Sequence, residues 1–276
     1  MSRAIKVLLA IGVVLVTAPP ASAQSAADVV NRMMTEYARR AENVENYTLV
    51  QDAMGFETVS YFVKEVDNGR PVFRLQRTSA SGMDMGGSPG EGSLDEIYSM
   101  GEELAERAAY LGVSNVDDYD VHVLEISDFT GMGFGQNVTP DSEFTPTSGM
   151  IYLDVDTYAP RRLEFDGEMA NEDGVHPVTS TVDMGDYREV ESMLVAYRTV
   201  VSIEGLGAAI DPETRAQFEE MQRELENMPP AQRQMVESMM ADQLEQFRAM
   251  MEGEDTPITV QMLVREVKVN EGPPSN

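Results

Sequence analysis

The strongest constraint on the fold is a two-residue alternation of apolar and polar side chains that recurs along the chain. It is cleanest in Arg162–Met169, where Leu163, Phe165 and Met169 are apolar and charged residues stand between them. Because successive side chains of a β-strand point to opposite faces, these three share an apolar face and the charges share a wet one. Three more stretches follow the same pattern: residues 178–184, 195–203 and 258–269.

Strands with one wet face are typical of an antiparallel sheet, and the segments between them fit that arrangement. The turn-like sequence Asp67-Asn68-Gly69 separates the β-like stretches 59–63 and 72–75 and predicts a hairpin. Residues 79–93 and 131–146 are predicted to be irregular, and residues 94–110 to be moderately helical. With about ten strands in all, we expect an α+β fold in which helices cover the apolar face of one large antiparallel sheet.

Two segments have the three- and four-residue apolar spacing of amphipathic helices. The first is residues 26–43, whose apolar stripe is Val29, Val30, Met33, Met34, Tyr37 and Ala41. The second is the helical block Asp211–Glu252, which Pro229-Pro230 divides into two arms, so that an αα-hairpin is the simplest geometry. Its stripe comprises Phe218, Met221, Leu225, Met228, Met235, Met239, Leu244, Phe247 and Met251.

The helical block interrupts the strand pattern, which stops before it and resumes after it. We therefore predict an insertion between two strands rather than a separate domain. Three roles are open for the hairpin: a fixed apolar cover over the sheet, a moving lid, or a projecting element that binds a partner protein. Gly205 and Gly207 before the block and Gly253 after it are candidate hinges.

The N-terminus has the three parts of a secretory signal peptide. Met1–Lys6 is basic, Val7–Val16 is apolar, and Ala21-Ser22-Ala23 has the small-x-small pattern of a cleavage site. The apolar run is shorter than the roughly 20 residues that span a bilayer. The sequence predicts a signal peptide over residues 1–23 and a single domain over residues 24–276. We expect a soluble periplasmic or secreted protein that is not inserted stably in a membrane and that lacks a lipoprotein Cys.

The charge excludes whole classes of partner. The chain has 20 Lys and Arg against 48 Asp and Glu, a net charge of −28. Nucleic-acid binding requires a basic surface that displaces counterions from phosphates, so no nucleic acid is expected as a partner. Cys is absent from the sequence, which rules out disulfides, Cys-based zinc sites and thiol nucleophiles.

No motif indicates catalysis, a cofactor or a metal. The glycine-rich stretch Gly86–Gly92 has no Lys and carries an acid, which makes phosphate binding implausible. His122 and His176 are the only histidines, and nothing in the sequence places them together. Asp154 and Asp156 lack the spacing and the terminal Glu of a calcium loop. We expect no enzyme, no cofactor and no bound metal.

Methionine is abundant, with 20 residues, and three explanations are open. Thioethers bind Cu(I), but adjacent pairs such as Met33-Met34 point about 100° apart on a helix and cannot readily bind one ion together. Alternatively the methionines form an apolar surface that adapts to varied ligands. The third explanation is ordinary packing of helices against the sheet.

Four stretches share their pattern with a known family of envelope proteins. They are Val29–Tyr47 with Tyr61–Leu75, Ala105–Val113 with Val121–Ile126, Met150–Glu164, and Asp186–Arg198. The third contains an aspartate, a turn, a proline, an arginine and a strand. The fourth contains tyrosine, arginine, glutamate and valine, and then a strand. Together they resemble the LolA-like periplasmic proteins over roughly residues 26–270 without the helical block.

The resemblance implies a curved antiparallel sheet in the form of an incomplete barrel, with helices closing its concave side. The family includes outer-membrane lipoprotein-sorting carriers and relatives that bind lipid or sense envelope stress. In its characterised members the cavity holds acyl chains. This chain differs from the carriers in its Met-rich insert, its lack of Trp and its acidity. No ligand-holding residue of the carriers matches a position here.

We therefore expect an exported envelope protein that binds a lipid, an acyl chain or another hydrophobic ligand, with a role in outer-membrane lipoprotein or lipid trafficking. The alternative is a non-catalytic structural or interaction module whose apolar face is permanently filled and whose partner is an envelope protein. The candidate ligand-binding residues are Tyr61, Phe73, Leu75, Leu163, Phe165, Met169, Val182, Met184, Phe218, Met221, Met239 and Phe247.

Overall fold

The computed structural model describes residues 24–274 except 54–55, 68, 81–82, 85–95, 131, 133–142, 172–173 and most of 210–256. Within the last range it describes residues 216, 220, 223, 225, 227–229 and 233. The strands are β1 (Asn46–Ala53), β2 (Phe56–Asp67), β3 (Arg70–Ala80), β4 (Met83–Asp84), β5 (Ala109–Val116), β6 (Tyr119–Ile126), β7 (Glu143–Asp154), β8 (Pro160–Asn171), β9 (Gly174–Val190), β10 (Met193–Glu204) and β11 (Ile258–Val269). The helices are α1 (Ala26–Ala41), α2 (Glu96–Ser99), α3 (Gly101–Arg107) and α4 (Leu206–Ala209).

All eleven strands belong to one antiparallel sheet in the order β4-β3-β2-β1-β11-β10-β9-β8-β7-β6-β5. The sheet is open, because β4 and β5 lie at its two edges and do not pair with each other. The first and last long strands meet in its middle, where Tyr47 of β1 lies opposite Val269 of β11. The predicted fold class, one large antiparallel sheet in the form of an incomplete barrel with helices on one face, is confirmed.

The alternation identified in the sequence sets which side of the sheet is covered. Leu163 and Met169 of β8 are buried on the face that carries the helices, as are Val178 and Met184 of β9. We call this the inner face and the opposite one the outer face. The predicted pattern is confirmed for both strands.

In strand β2 the covered face carries Phe62 and not the neighbouring Tyr61, which was a candidate ligand-binding residue. Ser60 and Phe62 are buried on the inner face, so the pleat directs Tyr61 to the outer face, where it is half-buried. Tyr61 and Phe62 are adjacent aromatic residues, and the alternation alone fits either face. Phe62 therefore takes the place on the inner face that was predicted for Tyr61.

Two predicted boundaries are wrong. The helical stretch ends at Arg107, and Ala109 already begins β5, while β7 begins at Glu143 inside the stretch predicted to be irregular. Strand β5 was hidden because it lies at the sheet edge, where Leu111 and Val113 are exposed and the alternation fails. A register shift beside Gly112, whose φ is +109°, disrupts the period further.

Helix α1 begins at a capping box and packs its apolar stripe on the sheet. The Ser25 hydroxyl accepts from the backbone N–H of Asp28 at 3.1 Å, and the Asp28 carboxylate accepts from the backbone N–H of Ser25 at 3.0 Å. The stripe predicted from the sequence is buried along its whole length. The helix therefore covers part of the inner face.

Beside a small cluster of Met169 and Val178, against which Leu206 of α4 packs, two larger core clusters fill the covered parts of the inner face. The first joins α1, α2 and α3 to strands β6–β9 through residues such as Met33, Leu104 and Ile151. The second joins the C-terminal end of α1 to β1–β3, β10 and β11 through residues such as Tyr37 and Phe73. Helix α1 contributes to both clusters and so connects the two halves of the sheet.

The outer face is less exposed to solvent than the alternation predicts. Val116, Val121 and Val123 form a buried cluster there, against which Met150 and Tyr152 pack. The neighbouring Arg162 pairs with Asp183 at 2.5 Å, with Asp117 at 3.6 Å and with Glu164 at 3.7 Å. Burial and a hydrogen bond to Glu164 raise the pKa of Tyr152 to about 12.

Within the helical block, the described residues on both sides of Met228-Pro229 are helical. The backbone N–H of Arg233 donates to the carbonyl oxygen of Pro229 at 3.0 Å, which is the four-residue spacing of an α-helix. Leu225 of the predicted stripe is buried. The hairpin as a whole and the surface that it covers lie outside the described residues, so both stay predictions.

Replacing Gly205 with alanine is expected to lower the free energy of unfolding by about 2 kcal/mol or more. Gly205 has a φ of +81°, and a Cβ there would lie 2.3 Å from the carbonyl oxygen of Pro177. Gly185→Ala is the control, since a Cβ at Gly185 meets nothing within 4 Å. Urea denaturation of both variants tests this, and equal midpoints would show that Gly205 is a free hinge and not a packing residue.

Candidate functional site

A cavity of about 310 Å³ lies on the inner face between the two core clusters. It is partly open to solvent in the part of the chain that the structure describes. Strands from both halves of the sheet line it, together with Tyr98 of α2. The lining residues are Tyr47, Leu49, Gln51, Ser60, Phe62, Leu75, Thr78, Tyr98, Pro160, Met184, Tyr187, Met193, Leu194, Val195, Ala196, Thr199, Met262 and Val264.

Aromatic side chains form one end of the cavity. The rings of Tyr47 and Phe62 stack with their centroids 4.7 Å apart, because the two residues are directly paired on β1 and β2. Tyr98 stacks on Tyr37 of α1 at 3.8 Å, which fixes the position of the short helix α2 at the rim. This part of the lining is therefore built from stacked aromatic rings, two of which carry a hydroxyl group.

The polar groups of the cavity are neutral. Gln51, Ser60 and Thr78 lie on the adjacent strands β1, β2 and β3, and the Ser60 and Thr78 hydroxyls are hydrogen-bonded at 3.1 Å. Thr199 of β10 is a further polar lining residue. None of the 18 residues that line the cavity is Asp, Glu, Lys, Arg or His. Among the described residues, the lining thus offers a ligand hydroxyl and amide groups and no charged side chain.

A buried ion pair supports the wall beside Pro160. Asp154 accepts from Arg161 Nη2 at 2.8 Å and Nε at 3.0 Å, and from the backbone N–H of Thr157 at 2.8 Å. Burial alone would raise the pKa of Asp154, but the hydrogen bonds from Thr157 and Arg161 outweigh it and hold the pKa below its usual value. The carboxylate therefore stays ionised and orders the turn between β7 and β8.

The same arginine positions Tyr187. The Arg161 guanidinium lies 3.7 Å from the ring centroid of Tyr119 and 5.0 Å from that of Tyr187. The Tyr187 hydroxyl donates to the carbonyl oxygen of Pro160, and burial raises its pKa well above the usual value. Both Pro160 and Tyr187 line the cavity. The two sequence stretches that resemble LolA-like proteins most closely therefore meet at its wall.

The structure places the predicted ligand-binding residues that it describes in three environments. Leu75 and Met184 line the cavity. Tyr61 lies on the outer face. Phe73, Leu163, Phe165, Met169 and Val182 pack within or against the core clusters. Phe218, Met221, Met239 and Phe247 lie outside the described residues.

Most of the cavity lining was missed from the sequence. Four consecutive residues of β10, Met193–Ala196, line the cavity, and so do Met262 and Val264 of β11. The sequence does not indicate which apolar side chains line a cavity. The alternation is the same for a strand face that packs against a helix and for one that borders a cavity. The sequence did single out the stretch Asp186–Arg198, and this stretch contains Tyr187 and Met193–Ala196 of the lining.

The two histidines are not brought together. His122 lies on β6 opposite Leu153 of β7, whereas His176 lies on β9 opposite Met169, which in turn pairs with Phe144 of β7. Leu153 and Phe144 are nine residues apart on β7, which is about 30 Å along the strand, so the register keeps the two histidines far apart. Among the described residues there is no group of three or more His, Asp or Glu that could hold a metal ion. None of the helices in this part of the chain is both long and apolar enough to cross a bilayer.

We expect the free energy of unfolding to fall as the pH drops below about 6.5, the usual pKa of histidine. His122 is 5% exposed, its Nδ1 is 3.0 Å from the Tyr110 hydroxyl, and burial lowers its pKa. Between that lowered pKa and about 6.5, the unfolded chain binds more protons than the native protein, so lower pH favours unfolding. Urea denaturation at pH 7.5 and pH 5.5 should show a smaller loss for His122→Gln than for the wild type. If the free energy of unfolding falls equally in both proteins, protonation of His122 is not the cause of the pH dependence.

Comparisons with known proteins give a likeness of fold. A scan against protein-family models finds no match, and neither does a search of curated proteins. Among solved structures, a domain assigned to outer-membrane lipoprotein sorting from Vibrio parahaemolyticus matches with a TM-score of 0.42 at 11% identity, covering 90% of this chain and 94% of that one. A DUF1329 family protein from Desulfovibrio piger also has a TM-score of 0.42, at 9% identity, covering 90% and 93%.

A LolA superfamily protein from Nitrosomonas europaea matches with a TM-score of 0.31 at 11% identity, covering 91% of this chain and 96% of that one.

Proposed function

We propose that this chain is an exported envelope protein that binds a lipid, an acyl chain or another hydrophobic ligand in the cavity of its inner face. The observation that carries the proposal is the cavity itself, about 310 Å³ of space between two well-packed clusters. Small-molecule sites have volumes of about 300–1,000 Å³, and this cavity lies at the lower end of that range. Its lining combines apolar side chains with hydroxyl and amide groups that could orient a ligand.

The energetics are adequate for a single acyl chain. Burying one methylene contributes about 0.8 kcal/mol, so eight methylenes would contribute roughly 6 kcal/mol before the costs of association. The lining includes Met184, Met193 and Met262, whose flexible thioethers can repack around chains of different length. The proposal therefore covers a class of acyl ligands and not one fitted molecule.

The cellular role rests on the predicted export. Residues 1–23 lie outside the described residues, so the signal peptide stays a prediction, and with it the periplasmic or secreted location. We infer that a ligand carried there would belong to lipid or outer-membrane lipoprotein trafficking, or would be presented to an envelope protein partner. The helical block is a proposed cover, because it joins β10 to β11 and both strands line the cavity.

Native mass spectrometry and solvent extraction of the purified full chain test the proposal. We expect a co-purifying lipid, or binding of the neutral dye N-phenyl-1-naphthylamine with displacement by a long-chain alcohol. The absence of both lipid and dye binding would overturn the proposal and favour the alternative, a structural or interaction module whose inner face is permanently filled.

A further inference from the structure

We propose that the cavity selects uncharged compounds with a long acyl or alkyl chain, such as esters, amides or alcohols, and excludes chains that end in an ionised carboxylate or phosphate. The inference deepens the proposed function and rests on it. Its basis is that the 18 lining residues in the described part of the chain are uncharged, and that the polar ones among them carry only hydroxyl or amide groups.

The polar lining suits a neutral polar group. Ser60 and Thr78 are directly paired on β2 and β3. Gln51 of β1 lies diagonal to Ser60, because it pairs with Thr58. Gln51, Ser60 and Thr78 all line the cavity. The Gln51 amide has two N–H donors and one acceptor oxygen, and each hydroxyl can both donate and accept. An ester carbonyl or a hydroxyl would find both kinds of partner among these side chains, next to apolar walls for the chain.

Cations beside the lining residues point away from the cavity. Arg77, Arg198 and Arg265 each adjoin a lining residue, namely Thr78, Thr199 and Val264 in turn. Arg77 lies opposite Tyr61, which is on the outer face. Arg198 and Arg265 are exposed, and Arg265 pairs with Asp52. None of them can compensate a negative charge on a ligand inside the cavity.

The remaining neighbouring cations are already paired. Lys64, two residues beyond Phe62, lies 2.9 Å from Glu45. Arg74, next to Leu75, lies 3.4 Å from Asp67. Arg161, next to Pro160, lies 2.8 Å from Asp154, and Arg188, next to Tyr187, lies 2.5 Å from Asp186. An anionic head group would have to break one of these pairs or remain unpaired, and it would approach a chain of net charge −28.

Dodecanol and dodecanoate provide a matched pair, since they share a chain and differ in the charge of the head group. Both are titrated against the full chain at pH 8 by displacement of N-phenyl-1-naphthylamine, below their aggregation concentrations. We expect dodecanol to bind at least tenfold more tightly, and the ratio to shrink at pH 5, where a carboxyl group with a pKa of about 4.3 begins to protonate.

Equal affinities at pH 8 would overturn the inference and leave the proposed function intact. Failure of both compounds to bind or to displace the dye would overturn both. The comparison uses the unaltered protein, so it does not depend on the folding of a variant.

A cation placed in the cavity should reverse the selectivity. Gln51→Lys is expected to raise the affinity for dodecanoate relative to dodecanol at least tenfold at pH 8. Gln261→Lys makes the same change on an exposed residue of β11 and is expected to leave the ratio at its wild-type value. If both variants shift the ratio equally, long-range charge and not the cavity determines selectivity, and the inference fails.

Discussion

Replacing Arg161 with methionine is expected to lower the free energy of unfolding by about 3–5 kcal/mol, because it leaves the Asp154 carboxylate buried without its cation. Asp154 and Arg161 have side chains that are only 8% and 10% exposed, so solvent cannot take over the lost interaction. Methionine keeps much of the side-chain length between Tyr119 and Tyr187. The loss should therefore come mainly from the unpaired charge, and urea denaturation at pH 7 measures it.

The matched control is Arg265→Met, which removes an ion pair with Asp52 on the surface. The Arg265 side chain is 62% exposed, and exposed pairs contribute little because water screens them. We expect this variant to unfold close to the wild-type midpoint. Equal destabilisation of the two variants would mean that the loss of Arg161 acts through its apolar contacts and not through the buried charge.

Replacing Ala196 with phenylalanine is expected to weaken ligand binding at least tenfold. Ala196 lines the cavity from β10 and lies opposite Tyr187 of β9, so a larger side chain there occupies the space that a ligand would fill. A tenfold change corresponds to about 1.4 kcal/mol, less than the contribution of two methylenes that could no longer be buried. Displacement of N-phenyl-1-naphthylamine by dodecanol measures the loss.

Ala109→Phe makes the same chemical change on an exposed residue of the edge strand β5 and should bind as the wild type does. Overpacking can cost about 1–3 kcal/mol of stability, so thermal unfolding of both variants is measured alongside binding. Wild-type affinity in a folded Ala196→Phe variant would mean that the ligand binds elsewhere.

The sheet could be predicted because its signal is local and repeated. In β8 and β9 the alternation of Leu163, Val178 and Met184 with polar residues defines both the strand and its covered face. The prediction failed where that local signal is weak. Strand β5 has one neighbour and exposed apolar residues, and β2 has aromatic residues on both faces at Tyr61 and Phe62.

The cavity could not be predicted as well as the sheet, because the position of a cavity depends on how the helices and strands pack together. Leu75 and Phe73 are two residues apart on β3 and equally apolar, yet Leu75 lines the cavity and Phe73 packs against Tyr37. Which of them meets a neighbour depends on where α1 crosses the sheet. Strand periodicity carries no information about that position.

The pairing of β1 with β11 in the middle of the sheet has a consequence for how the protein matures. Tyr47 and Val269 are neighbours in space although almost the whole domain separates them in the chain, so this contact closes a very long loop and should form late in folding. The cavity walls come from β1–β3 on one side of this seam and from β9–β11 on the other. A chain still being synthesised from its N-terminus would lack its last strand, and the two walls of the proposed binding cavity would be separate open surfaces. Competence to bind a ligand there would therefore appear only once β11 is complete.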